Sequence, residues 1–273
     1  MKWTGQTNNR FLKAKDYKNP LPCRRFVWEE NRLNAAIKTE NLTKLYKGNR
    51  GINELNLEVQ SGEIFGFLGP NGAGKTTAMK IMTGLISPER GDAHLNGFSI
   101  LNDYEKAMAS VGCIIENVCM FPYLTAYENM KLCARFYPEA DEERLRWALS
   151  ETGMYAFKDE KVKNFSLGMR QRMGISLAIL SKPSILILDE PLNGLDVEGM
   201  VDMRNLFKHL SEENGTTVFI SSHLIHDVEV TCDRVGVVFD GKLLATNRVD
   251  EILKDYSSLE NYYLSEVDAN AKS

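Results

Sequence analysis

Gly69-Pro70-Asn71-Gly72-Ala73-Gly74-Lys75-Thr76-Thr77 is the stretch on which the fold of this chain turns. It fits the spacing GxxxxGK[ST] and its flanks have the right character. EIFGFL before it reads as a strand, and TTAMKIMTG overlapping its end reads as a helix. Glycines let the main chain curl until successive N–H groups point inward, where they can hold the α- and β-phosphates of a nucleotide. Lys75 adds a mobile cation for the β- and γ-phosphates, and the Thr76 hydroxyl can ligate Mg2+. The dipole of the following helix adds to the same field. Strand, glycine loop and helix in that order predict a nucleoside triphosphate site.

Further along, SILILD reads as a strand buried in the middle of a sheet and ends at Asp189-Glu190. Asp189 is placed to hold Mg2+ through water. Glu190, one residue on, suits a general base for an attacking water, the alternative being a solvated strand-end carboxylate. His223 closes another apolar run, FISSHL, and reads either as a γ-phosphate contact or as a satisfied loop histidine. NFSLGMRQRM, Asn164 to Met173, raises a separate question. Ser166 is a good cap for the helix that follows, and a helix start attracts anions. The chain thus carries two such starts.

Around these landmarks the chain alternates short apolar strands with helical patterns. IKTENLTKLYK, INELNLEVQ, EIFGFLG, DAHLNG, VGCII, SILILD, TTVFISS, RVGVVFD and KLLAT read as strands. Between Val197 and Glu213, Met203, Leu206, Phe207 and Leu210 recur at helical spacing. Such alternation predicts an α/β fold, a parallel sheet covered on both faces. Two helical patterns, TAYENMKLCARFY and DEERLRWALSETG, interrupt it and suggest a helical side subdomain at about 117–165. Residues 1–36 show no sustained periodicity and read as a disordered basic extension, with eight Lys and Arg against three Asp and Glu; a shorter chain could start at Leu33. The domain is expected over 37–264, with 265–273 as a tail.

The chain has 273 residues, 43% hydrophobic and 26% charged, with a formal net charge of −4, as expected for a soluble globular protein. With the basic head set aside the body is more acidic still, which argues against nucleic acid as a partner. Five cysteines without a CxxC pair read as reduced thiols of a cytosolic protein, Cys113 and Cys232 being core filler. No run reaches the roughly 18–20 apolar residues that cross a bilayer, so a membrane role would come through a partner.

Together these residues resemble the ATP-binding subunits of ABC transporters, from Ile37 to about Leu264. GPNGAGKTT resembles the Walker A loop, ILILDE the Walker B strand with its catalytic glutamate, NGLD the D-loop and SSH the switch histidine segment. The resemblance implies a P-loop NTPase (RecA-like) parallel-sheet core with an N-terminal antiparallel β-subdomain and an inserted α-helical subdomain. It implies ATP and Mg2+ as cofactors, Tyr46 stacked on adenine, and residues Gly69 to Thr77 around the phosphates. Lys75, Glu190 and His223 become the catalytic set, and Thr76, Asp189 and Glu116 the metal set. Glu116, in CIIENV, stands where the family has its Q-loop glutamine.

FSLGMRQR resembles the family's signature sequence, with Leu167 and Met169 as departures from LSGGQ. In this family two ATPase domains pair head to tail, which accounts for the second helix start. Ser166, Gly168 and Met169 are then expected on the partner's ATP, and Asp196 on the partner across the interface. The SLG signature, the acidic Q-loop and the ending SLENYYLSE resemble bacitracin-resistance and lantibiotic-immunity exporter ATPases, bringing a peptide or other amphiphile into view. FPYLTAYENMKLCARFY would form the groove for a helix of a separate permease. The expected partners are a second ATPase subunit, a homodimer being the simplest case, and that permease. The expected place is the cytoplasmic face of the membrane. Two alternatives are weaker. Soluble ABC proteins of ribosomes or DNA usually carry tandem ATPase domains or long coiled coils, and a P-loop kinase or GTPase has no reason to carry FSLGMRQR.

Overall fold

The computed structural model describes residues 35–48 and 50–271. Their first strands, β1 (Ala35–Tyr46) and β2 (Arg50–Gln60), form an antiparallel pair. In β2, Leu55, Leu57 and Val59 point inward while Glu54, Asn56, Glu58 and Gln60 point out, the alternation of a sheet with one wet face. With β4 (Arg90–Leu95) and β5 (Phe98–Ser99) they make a four-stranded sheet in the order β2-β1-β4-β5.

The second sheet contains β3 (Ile64–Leu68), β6 (Val111–Ile114), β7 (Ile185–Leu188), β8 (Thr217–Ser222), β9 (Arg234–Phe239) and β10 (Lys242–Arg248), in the order β10-β9-β3-β8-β7-β6. All are parallel except β10, which closes one edge antiparallel to β9. Every residue of β3, β7 and β8 is buried, as strands covered on both faces must be. Phe65 and Phe219 stack with ring centroids 5.6 Å apart. They lie in one core with Phe67, with Leu55 and Val59 of the first sheet, and with Met79 and Met82 of α1 (Lys75–Met82).

Parallel neighbours need crossovers, and these hold the helices. After α1 comes the short α2 (Tyr104–Met108). Between β6 and β7 lie α3 (Ala126–Ala134), α4 (Glu142–Glu151), two 3-10 turns and α5 (Leu167–Ile179). α3 opens on a capping box: Thr125 Oγ1 accepts from Glu128 N at 3.1 Å, and Thr125 N donates to Glu128 at 2.8 Å. Arg144 of α4 donates to the carbonyls of Ile179 and Leu180 at 2.6 and 3.0 Å, tying α4 to the end of α5.

Met203, Leu206, Phe207 and Leu210 of α6 (Val197–Glu212) are buried, as their spacing requires. Arg204, on the same helix, pairs with Asp227 of α7 (Ile225–Thr231), and both side chains are largely out of water. Removing one partner of such a pair strands the other charge. Arg204→Met is expected to cost about 3 kcal/mol, a fall in melting temperature on the order of 6–12 °C by calorimetry. A shift under about 2 °C would show that the pair is not stabilising.

The chain ends in α8 (Val249–Asp255) and α9 (Leu259–Ala271). Residues 265–271, read from the sequence as a tail, continue α9, which is anchored by buried Leu259 and Tyr262. The basic head lies outside the described residues apart from Ala35 and Ala36, which already belong to β1. Among the described residues, no helix is long and apolar enough to cross a membrane.

Candidate nucleotide site

The glycine loop runs from the end of β3 to the start of α1, over the C-terminal ends of the parallel strands. Gly69 N donates to Ser222 O at 3.2 Å, Ala73 N to Pro70 O at 3.2 Å, and Gly241 N to Ala73 O at 3.2 Å. Main chain from both sheets therefore walls the loop. Gly74 sits at φ +100°, and a Cβ there would lie 2.2 Å from Gly51 O; one on Gly69 would lie 2.2 Å from Val238 O. Neither position admits a side chain. The N-terminus of α1 has no side-chain cap and no acidic residue in its first turn, so its free N–H groups and dipole suit an anion.

Lys75 is 6% exposed, and its Nζ donates to Gly69 O at 2.6 Å and Pro70 O at 3.2 Å. Glu190 Oε1 lies 3.5 Å from the same nitrogen. One helical residue on, Thr76 Oγ1 donates to Asp189 Oδ2 at 2.8 Å. Buried Asp189 is held at its other oxygen by Ser221 Oγ at 2.5 Å. Ser221 Oγ also accepts from Glu190 N at 2.9 Å, so one serine at the end of β8 holds the Asp189 carboxylate and the main chain of Glu190. Glu190 takes a left-handed backbone, φ +49°, and its Oε2 lies 2.9 Å from His223 Nδ1. Asn193 Nδ2 reaches the same oxygen at 3.5 Å. A hydroxyl and a carboxylate, both hard oxygen donors, fit Mg2+, which takes few protein ligands and completes its shell with phosphate and water.

Lys75, Thr76, Asp189, Glu190 and His223 thus meet at one place. Tyr46 lies at the end of β1, 47% exposed, with Lys44 Nζ 6.0 Å from its ring centroid. Glu116 follows β6, and its carboxylate pairs with Lys80 of α1 at 2.7 Å. The second group of expected residues gathers at two helix starts. Ser166 caps α5, accepting from Met169 N at 3.2 Å, and Asp196 caps α6, accepting from Gly199 N at 2.9 Å. A Cβ on Gly168 would stand 3.1 Å from Gly194 O, so the two helix starts are close neighbours. Met169 is half-buried against the core of its own chain.

Ser221 and Lys80 were not foreseen. A serine directly after the apolar run Val218-Phe219-Ile220 was the available signal for the first, and a lysine one turn beyond Thr76 on the same helical face for the second.

The chain matches the ABC transporter family over residues 52–193. A bacitracin transport ATP-binding protein of Enterococcus faecalis is 42% identical over 219 residues, which is 80% of this chain and 71% of that protein. A lantibiotic transport ATP-binding protein of Streptococcus pyogenes is 35% identical over 226 residues, 82% of this chain and 93% of that one. Among solved structures, a dimeric ATP-binding cassette in a post-hydrolysis state, bound to ADP and Pi, aligns with a TM-score of 0.71. It is 26% identical and covers 78% of this chain and 98% of its own. Strand order, phosphate loop and relatives agree: this chain belongs to the ABC transporter family, in which it is an ATP-binding and ATP-hydrolysing transport subunit.

Proposed function

We propose that this subunit drives export of a peptide antibiotic or similar amphiphile by closing on ATP with a second ATPase subunit beneath a separate permease. The observation that carries the catalytic part is the Glu190 carboxylate, held by His223 on one oxygen and facing Lys75 with the other. In that position Glu190 orients an attacking water and takes its proton. Lys75 moves its charge from the loop carbonyls to the β- and γ-phosphates, and His223 steadies the γ-phosphate. Residues Gly69 to Thr77 hold the triphosphate and Tyr46 stacks on adenine. Thr76, Asp189 and Glu116 arrange Mg2+, which when bound offsets charge on the phosphates.

Ser166, Gly168, Met169 and Asp196 close on the site from the partner. The Ser166 oxygen accepts from Met169 N, which leaves its own hydrogen for a phosphate oxygen. Ser166→Ala should weaken ATP-driven self-association by about tenfold, through loss of a bond to a charged group. Light scattering would show this with the affinity of the single subunit for ATP unaltered. A single-subunit affinity that fell in parallel would move Ser166 to its own nucleotide.

The names of the bacitracin and lantibiotic relatives, the Glu116 position and the SLG signature support the substrate class. A homodimer at the cytoplasmic face of the membrane, attached through the permease, is the simplest assembly consistent with them. The test is co-purification with a polytopic membrane protein and measurement of ATP hydrolysis with added bacitracin or a lantibiotic. Stimulation by the peptide is expected. A purified complex indifferent to both would remove the peptide substrate.

A further inference from the structure

Lys80 stands in the last turn of α1, where a lysine ordinarily does no more than face solvent near the negative end of the helix dipole. Here it does something more specific. Its Nζ lies 2.7 Å from Glu116 Oε1, and the two side chains are 28% and 56% exposed. Glu116 holds a left-handed backbone at φ +61°, a conformation that a non-glycine residue keeps only where its surroundings impose it. β6 and β7 are parallel neighbours, with Ile114 opposite Leu188 and Asp189 N donating to Ile114 O at 2.9 Å. Glu116 and Asp189 therefore follow the C-terminal ends of adjacent parallel strands and converge on α1. Asp189 meets it at Thr76, and Glu116 meets it at Lys80, one turn further along the same face.

The segment after Glu116 is fixed at its other end as well. Val118 packs against Gly174 of α5, so closely that a Cβ on that glycine would fall 2.3 Å from Val118 Cγ2. The run from Glu116 to Val118 thus spans from the helix that starts at the phosphate loop to the helix that starts at Ser166.

We propose that Lys80 is a positioning residue: it holds the Glu116 carboxylate against α1 and competes with the metal for it. The inference rests on the ATPase reading of the site for its second half only. Lys80 supplies no ligand and touches no substrate. It sets where the loop rests and how readily its acidic group becomes available.

Hydrogen exchange of the amides of residues 115–120 in the nucleotide-free full chain is the first test. Lys80→Met should speed their exchange by about two- to fivefold, the range a partly exposed ion pair supports. Lys80→Arg should keep the protection. The double change Lys80→Glu with Glu116→Lys should restore it. The second test is the Mg2+ concentration giving half-maximal binding of a fluorescent ATP analogue. Freed of its clamp, Glu116 should lower that concentration by about two- to fivefold in Lys80→Met, and the fall should vanish when Glu116→Gln is added. Unchanged exchange in Lys80→Met overturns the proposal. So does a Mg2+ midpoint that moves equally with and without Glu116, because Lys80 would then act on the nucleotide directly. Absence of any Mg2+ dependence in the unaltered protein would instead count against the metal site, with the exchange result still deciding the clamp.

Discussion

Replacing Glu190 by glutamine is expected to cut steady-state ATP hydrolysis by at least about a hundredfold while leaving ATP binding intact. Glutamine has the same shape, so the contact to His223 Nδ1, 2.9 Å in the unaltered chain, can survive. What disappears is the capacity to take a proton, together with the negative charge 3.5 Å from Lys75. A positioned general base contributes on the order of 10²–10⁴ in rate, and the loss should fall in that range. Because an adjacent negative charge has gone, the triphosphate should bind at least as well as before. With binding kept and cleavage stopped, the subunits should accumulate as an ATP-held pair, visible as a doubling of mass in light scattering. Turnover within about threefold of the unaltered protein would take the base role away from Glu190.

Lys75→Met is expected to act on binding instead. Lys75 Nζ donates to two carbonyls of the loop, Gly69 and Pro70, lies 3.5 Å from Glu190 Oε1, and is almost wholly buried, so its charge is little screened. Each bond it offers a phosphate oxygen is a charge-assisted one worth about 1.5–3 kcal/mol. Losing two should lower ATP affinity by about two to four orders of magnitude, measured by calorimetric titration. The rise in melting temperature on adding ATP should disappear with it, since that rise reports binding to the folded state. Arginine is not an adequate substitute, because its planar fork needs more room than a buried ammonium does. An affinity within about threefold of the original would mean that backbone N–H groups alone hold the phosphates.

Much of this architecture could be read from local pattern. The phosphate loop, its helix and the ILIL strand announce themselves because each is contiguous in sequence, and α6 does so through four apolar residues at helical spacing. The elements missed are short or weakly patterned. β5 has two residues, α2 five, and α7 and α8 seven each, too few for a period to show. α9 was hidden because its large apolar residues crowd into its first half and leave a polar second half that looked like a tail. At the site, the residue types and their neighbours along the chain were legible, but their connections were not. Ser221 reaches Asp189 only because Ile220 lies opposite Leu188 in the sheet, and Lys80 meets Glu116 across 36 positions of sequence. Register and long-range approach are settled by packing, which no local pattern encodes.

The glycine loop is bounded by carbonyls of Gly51 and Val238 and tied to Gly241, so its shape is cast when the two sheets come together. Ordering entropy there is spent during folding rather than at the moment of nucleotide capture. ATP therefore finds a ready-made mould, and the free energy of its binding remains available for work elsewhere in the assembly.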